Sequence, residues 1–325
     1  MKALRLEETL SLDPGFPDPN RPGEALVRVV QAGICGTDLE ILKGYAGFKG
    51  VLGHEFVGRV VNAPDRRLIG HRVAGDINAG CGACELCATG DSRHCANRTV
   101  LGIKGRSGAF AEFLSLPVQN LLDVPDSLSD DDGVFIEPVA AACEILDQVD
   151  IGPGSRVAVI GDGKLAQLIV RVLATTGCSL TVIGKHEDKL GLAAGAGART
   201  VRIEPGAGAS SLGGLGPFDF VVEASGSASG VELALALVRP RGTIVLKSTH
   251  HDRTLLDLSQ VVVNEVTLVG SRCGRFDRAI QLMAARKVRV DDLISGRFPL
   301  AQWEQAFKKA AQPSSLKVII RMGSE

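Results

Sequence analysis

Two short segments carry residues able to do metal chemistry. They read Gly33-Ile34-Cys35-Gly36-Thr37-Asp38 and Gly53-His54-Glu55-Phe56-Val57-Gly58. Cys35 offers a soft thiolate, His54 an imidazole and Glu55 a carboxylate, all ligand types suited to zinc. Thr37 follows Cys35 by two residues; in an extended segment both side chains would share a face, so a hydroxyl and a metal would line one pocket. The expectation is a catalytic zinc on Cys35 and His54 that takes a substrate oxygen, with Thr37 beside it. A cysteine and a histidine nineteen residues apart are more often one packed and one solvated, so the rest of the chain has to support this reading. Glycines at 33, 36, 53 and 58 mark backbone that something approaches closely.

A second cluster is more specific. Residues 80–95 read Gly-Cys-Gly-Ala-Cys-Glu-Leu-Cys-Ala-Thr-Gly-Asp-Ser-Arg-His-Cys. Thiolates at Cys81, Cys84, Cys87 and Cys95 close a tetrahedral site with no open position, which is a structural rather than a catalytic zinc. The four sulfurs complete the site without His94. The start of the sequence lacks a signal peptide's apolar core, and in such a chain clustered cysteines indicate metal rather than disulfides. The remaining Cys143, Cys178 and Cys273 read as packed thiols.

The third motif is a strand, a glycine turn and a helix. Arg156-Val157-Ala158-Val159-Ile160 runs into Gly161-Asp162-Gly163-Lys164-Leu165-Ala166, after which Leu165, Leu168, Ile169, Val172 and Leu173 recur at helical spacing. This is the dinucleotide fingerprint: Gly161 makes the tight turn, Gly163 admits the pyrophosphate and Ala166 permits close packing. Phosphates would sit on N–H groups at the helix start, near Lys164 and Leu165. Strands at 179–184, 200–203, 218–224, 242–247 and 266–270, with helical or irregular segments between, predict a doubly wound parallel sheet. The second strand ends Gly184-Lys185-His186, where NAD enzymes usually place an acid on the ribose 2′-hydroxyl. Its absence, with basic residues at Lys185, His186 and Lys189, favours NADP(H) over NAD(H); the alternative leaves the ribose to Glu187 or Asp188.

These motifs need two domains to carry them, and 325 residues with a 45% hydrophobic share supply them. The net charge of −1 gives no electrostatic case for nucleic acid or a membrane surface. The expected location is the cytoplasm. Before Cys35, alternating Lys2–Leu6, a proline-punctuated loop and Ala25–Val30 read as short strands. Tyr45 and Phe48 either line a substrate pocket or cover core.

Together the motifs, in this order along nearly the whole chain, resemble the medium-chain dehydrogenase/reductase superfamily, in its zinc-dependent alcohol, polyol and threonine dehydrogenase branch. The resemblance implies a GroES-like β-barrel catalytic domain (1–138 and 274–325, with a zinc lobe at about 80–96) and a Rossmann domain (139–273), with a cleft between. It makes Gly108–Phe113 the next strand and Glu137, before Pro138, a fourth participant at the catalytic metal; the alternative is a helix-start carboxylate placed by the macrodipole. It sets Ser225 by the adenosine ribose, and Lys247, Ser248, Thr249, Ser271 and Arg272 by the nicotinamide. His250 and His251 fall in a loop. It further implies two zinc ions per chain, a small-molecule alcohol or carbonyl substrate, and a homodimer or homotetramer. Rival readings are a zinc-free quinone-reductase-like enzyme and a non-catalytic nucleotide sensor. The sequence departs from the family at Gly184-Lys185-His186 and in a short connection from Cys35 to His54.

Overall fold

The structure, a computed structural model, describes residues 1–19, 21–204, 206, 208, 212, 214–249 and 254–323; His250 and His251 lie outside the described residues. The chain divides into two compact units. One holds Met1–Glu137, Phe276–Ala284 and Val290–Glu325; the other holds Pro138–Arg275 and Ala285–Arg289. The first division falls inside one helix, Asp130–Gln148, at its internal Pro138.

The first unit is built around the long strand Glu24–Ile34. Its Ala25, Val27 and Val29 are buried, as the period-two pattern requires of a strand with one face on the core. This strand pairs antiparallel with Glu55–Asn62, Phe113–Pro117 and Lys317–Arg321. Gly33 lies opposite Glu55 on one side, and Ile34 lies opposite Val318 on the other. The C-terminal strand is thereby registered beside both ligand segments. Close pairing depends on Gly58, where a Cβ would stand 2.5 Å from Val27 and 2.6 Å from the Arg28 carbonyl oxygen.

The strand expected at Gly108–Phe113 instead runs from Phe113 to Pro117. Gly108 is needed as a contact rather than as strand: its N–H donates to the Val51 carbonyl, and a Cβ there would lie 2.3 Å from the Gly53 carbonyl oxygen. The cysteine lobe carries a small sheet of Asn78–Ala79, Thr99–Leu101 and Gly105–Arg106, and the short helix Glu85–Ala88.

The second unit holds a six-stranded parallel sheet in the order Arg199–Arg202, Ser179–Gly184, Arg156–Ile160, Phe218–Glu223, Val238–Leu246, Thr267–Gly270. Numbered along the chain that order is 3-2-1-4-5-6, the doubly wound arrangement that binds dinucleotides where the strand order reverses. Helix Lys164–Ala174 buries Leu168, Ile169, Val172 and Leu173, which is the apolar stripe its sequence spacing predicts. Among the described residues no helix is long and apolar enough to cross a membrane.

One ion pair ties the first unit's sheet to its neighbouring strands. The buried Arg106 guanidinium donates to both oxygens of Glu24, at 2.6 and 2.8 Å, while Ser115 Oγ donates to the same carboxylate at 2.6 Å. Burial pushes the Glu24 carboxyl up, but Arg106 and Ser115 outweigh it and hold the group below the usual carboxylate range. A carboxyl lowered in the folded state stabilises the protein above its unfolded pKa of about 4.3, and this is lost as pH falls through the folded value. Glu24→Gln is therefore expected to cost about 2 kcal/mol at pH 7, with the difference from wild type shrinking below about pH 4. Denaturant melts of both proteins at the two pH values check this.

Candidate metal and nucleotide sites

Ligand atoms of Cys35, His54 and Glu55 all lie within 4.8 Å of one another. Strand pairing explains part of this convergence and a helix explains the rest. Cys35 ends the strand Glu24–Ile34 and caps the helix Gly36–Leu42, with φ −88° and ψ 161°. Cys35 itself is extended, but the extended segment that the spacing suggested ends there; Gly36 and Thr37 lie in the first helical turn. That geometry still brings its Oγ1 to 3.7 Å from Cys35 Sγ, because N-cap and first-turn side chains crowd the same helix end.

The residue that fixes this arrangement is Asp38, whose side chain is fully buried. Its Oδ2 accepts the Cys35 N–H at 2.8 Å and its Oδ1 accepts the Gly53 N–H at 3.2 Å. The first contact is the reciprocal half of an N-terminal capping box. Oδ1 also lies 3.4 Å from His54 Nδ1, an ion-pair distance outside hydrogen-bond geometry. A carboxylate behind a histidine that faces a metal fixes the ring's tautomer and orientation. Burial pushes the His54 pKa down, yet Asp38 and then Cys35 overcome it and raise it well above the ordinary value. The pocket's field favours a cation at the ring, and the donor set of thiolate, imidazole and carboxylate fits zinc.

Glu55 has a second partner. Its carboxylate accepts a hydrogen bond from Lys317 Nζ, and both side chains are buried. Lys317 also lies 5.5 Å from the centroid of the Phe135 ring. Burial lowers the Lys317 pKa, but Glu55, Cys35 and Glu137 outweigh it and raise it. Glu137 is not among the three converging ligands. It sits within the helix Asp130–Gln148 rather than at its start, so the macrodipole does not account for it. Burial is the main force on its carboxyl, which is pushed up to about 7; His54 and Lys317 pull it down, while Glu55 and Asp76 push it up. Of the two aromatic candidates, Phe48 lines a groove of about 340 Å³ with Arg21, Lys49 and Lys104, and Tyr45 is half-buried beside it.

Cys81, Cys84, Cys87 and Cys95 also converge within 4.8 Å. Cys84 Sγ stands 3.5 Å from Cys87 Sγ and 3.6 Å from Cys95 Sγ. A tetrahedron with Zn–S near 2.3 Å has sulfurs about 3.8 Å apart, so four thiolates fit the metal with no position left open. Of the other cysteines, Cys143 is buried and Cys178 and Cys273 are half-buried.

In the second unit, Gly161 has φ +120°, and a Cβ there would lie 2.5 Å from the Ala224 carbonyl oxygen. The helix then starts at Lys164 with Gly163 as its cap. Leu165 follows in the first turn. Asp162, between the glycines, accepts the Lys185 N–H at 2.6 Å and the His186 N–H at 2.8 Å on Oδ2, with His186 Nδ1 3.0 Å from Oδ1. Burial raises its carboxyl, but the His186 N–H, the His186 ring and the Lys185 N–H hold it below the usual range. Lys189 is buried. Ser225 donates to Glu223 at 2.6 Å, and Ser248 Oγ accepts the Gly226 N–H at 2.8 Å. Lys247 Nζ donates to the Ala141 carbonyl, Ser271 Oγ and the Arg272 carbonyl at 2.6–3.1 Å, so its ammonium fastens this unit's own backbone. Thr249 is exposed. Sequence reasoning missed Asp38, Lys317 and Asp162. Asp38 alone left a local signal, as an acid at the third position of a helix.

Residues 21–126 match the alcohol dehydrogenase GroES-like domain and residues 165–286 match the zinc-binding dehydrogenase family. The chain belongs to the zinc-dependent medium-chain dehydrogenase/reductase superfamily of oxidoreductases. It is similar to a putative zinc-binding dehydrogenase from Sinorhizobium meliloti 1021, solved bound to NADP, with 30% identity, 99% of each chain covered and a TM-score of 0.88. An alcohol dehydrogenase from E. coli CFT073 complexed with NADH is 26% identical over 99% of each chain, with a TM-score of 0.90. A probable D-xylulose reductase A of Aspergillus clavatus is 29% identical over 95% of this chain and 92% of its own length.

If Asp38 orients His54 toward a metal, Asp38→Asn is expected to weaken retention of one zinc per chain by about 10- to 100-fold and to leave the second, in the cysteine lobe, in place. Metal analysis of the purified variant after graded chelation reads this directly.

Proposed function

We propose that the chain is a zinc-dependent dehydrogenase that interconverts an alcohol, of the polyol or sugar-alcohol class, and its carbonyl by hydride exchange with NADP(H) in preference to NAD(H). The observation that carries this is the convergence of a half-buried Cys35 with buried His54 and Glu55, with the Thr37 hydroxyl 3.7 Å from the thiol and Asp38 behind the imidazole. When bound, zinc supplies Lewis-acid polarisation of a substrate oxygen and the nicotinamide supplies the hydride chemistry.

The chain's own residues do the rest. Cys35 and His54 hold the metal, and Asp38 keeps both from turning away. Thr37 accepts the hydroxyl proton of an alcohol and passes it outward. Glu55 is held by Lys317, which supplies a positive charge against three acidic groups in one buried pocket. Glu137 is the fourth candidate at the metal, directly or through water, exchanging with Glu55 as a ligand. The cysteine lobe orders a segment poor in apolar residues around its own zinc. Gly161, Gly163, Lys164 and Leu165 take the pyrophosphate.

The polyol class is supported by relatives named for D-xylulose and D-arabinitol. NADP(H) is supported by Gly184 standing where an acid would repel a 2′-phosphate, with Lys185 and His186 next to it. A homodimer or homotetramer formed through the edge strand Thr267–Gly270 is supported by exposed Leu258, Val262 and Val263 just before it. Reduced thiols suit the cytoplasm.

A cofactor-coupled screen of alcohols, polyols and sugars, with zinc measured on the same sample, tests the reading. About two zinc per chain and polyol-dependent reduction are expected, with kcat/KM higher for NADP than for NAD. Cys35→Ala and His54→Ala are expected to abolish turnover, and Thr37→Ala to lower kcat by about a hundredfold. Full activity in both ligand variants would overturn the assignment.

A further inference from the structure

Asp162 is placed where the nucleotide fingerprint has no need of a charged residue. The turn requires glycines at 161 and 163, and the position between them is free in type. Here its carboxylate reaches across to the end of the second strand. A Cβ at Gly184 would lie 2.6 Å from Asp162 Oδ2 and 2.8 Å from Asp162 Cβ. No side chain fits at 184 while Asp162 keeps this conformation. The acid that dinucleotide enzymes place at the strand end is therefore excluded chiefly by another acid, one strand earlier, with Leu190 Cδ2 closing the remaining side at 2.9 Å.

That second acid is already engaged. Oδ2 accepts two backbone N–H groups, from Lys185 and His186, and the imidazole Nδ1 sits 3.0 and 3.1 Å from the two oxygens. The carboxylate is buried, while the His186 side chain remains 41% exposed. With Nδ1 turned inward to Asp162, the ring's Nε2 is its outward polar atom. A further brace runs from the glycine turn to the helix that follows the second strand. The buried Gln167 amide donates to the carbonyls of Asp162 and Lys189, at 3.2 and 2.9 Å, and its oxygen accepts from Arg171 at 3.2 Å. Two side chains from the glycine turn and its helix, Asp162 and Gln167, thus fasten that turn to the loop and helix after the second strand.

We infer that Asp162 is the positioning residue for cofactor choice: by occupying the space of a side chain at 184 and fixing residues 185–186, it presents the His186 ring to the ribose 2′ substituent. A saturated, covered carboxylate does not compete for a ribose hydroxyl. It holds a ring that, once protonated, donates to a phosphate oxygen, and such a charge-assisted bond favours a 2′-phosphate over a hydroxyl. This inference rests on the reading that the Gly161–Ala166 turn binds a pyridine dinucleotide.

The test is kcat/KM for NADP and for NAD in wild type, Asp162→Ala, Asp162→Asn and His186→Ala, with melting temperatures on each. The wild-type ratio judges the NADP reading by itself; the change in ratio judges Asp162, whichever cofactor wild type prefers. Asp162→Ala and His186→Ala are each expected to lower the NADP-to-NAD ratio by about tenfold or more. Asp162→Asn, which keeps an acceptor oxygen for the loop, is expected to fall between. Equal losses with both cofactors, or an unchanged ratio, would show a merely structural brace and overturn the inference. A ratio that rises in Asp162→Ala would show the carboxylate repelling phosphate and would overturn it equally. If Asp162→Ala proves unstable, His186→Ala decides the matter by the same criteria.

Discussion

The candidate metal pocket depends on one buried carboxylate. Asp38 receives the N–H of Cys35 and the N–H of Gly53 and lies against His54. One side chain thus joins the two segments that supply the thiol and the imidazole, which the chain keeps nineteen residues apart. Burying an unpaired carboxylate costs several kcal/mol. Asp38 escapes that cost only in the arrangement that also aligns the ligands, so folding and site assembly draw on the same interaction.

The neighbouring charges follow the same logic. Three acidic groups, Cys35, Glu55 and Glu137, lie close to His54 and Lys317. Lys317 comes from the last strand of the chain, 262 residues from Glu55, and the antiparallel register of Glu24–Ile34 with both strands delivers it. The final strand accordingly lines the candidate metal pocket as well as completing the sheet.

That dependence also explains what the sequence reveals and what it hides. The strand, glycine turn and helix at 156–174 are local, and hydrophobic periodicity with turn glycines suffices to place them. So is the cysteine lobe, whose four ligands lie within fifteen residues. The parallel sheet follows from alternation, with strand ends displaced by a few residues, most at Val238–Leu246, where the expectation began at 242. Spacing puts Thr37 beside Cys35 through the wrong local structure, because the helix that starts right after the extended Cys35 is short and leaves little periodic signal. Lys317 and Asp162 carry no local signal: a lysine opening an apolar strand and an acid between two glycines acquire roles only from partners that tertiary contact supplies. Glu137 comes from family resemblance, and its position inside a helix is not legible until Pro138 is seen within the helical span.

The contact between Asp162 and Gly184 has an evolutionary side. An acid gained at 184 while Asp162 remains would force two carboxylates into a space with room for one, since even a Cβ there meets Oδ2 at 2.6 Å. Asp162 must be lost first, and that intermediate has neither the old brace nor the new ribose acid. The order of change is therefore fixed: position 184 can gain a side chain only after Asp162 has given up its space.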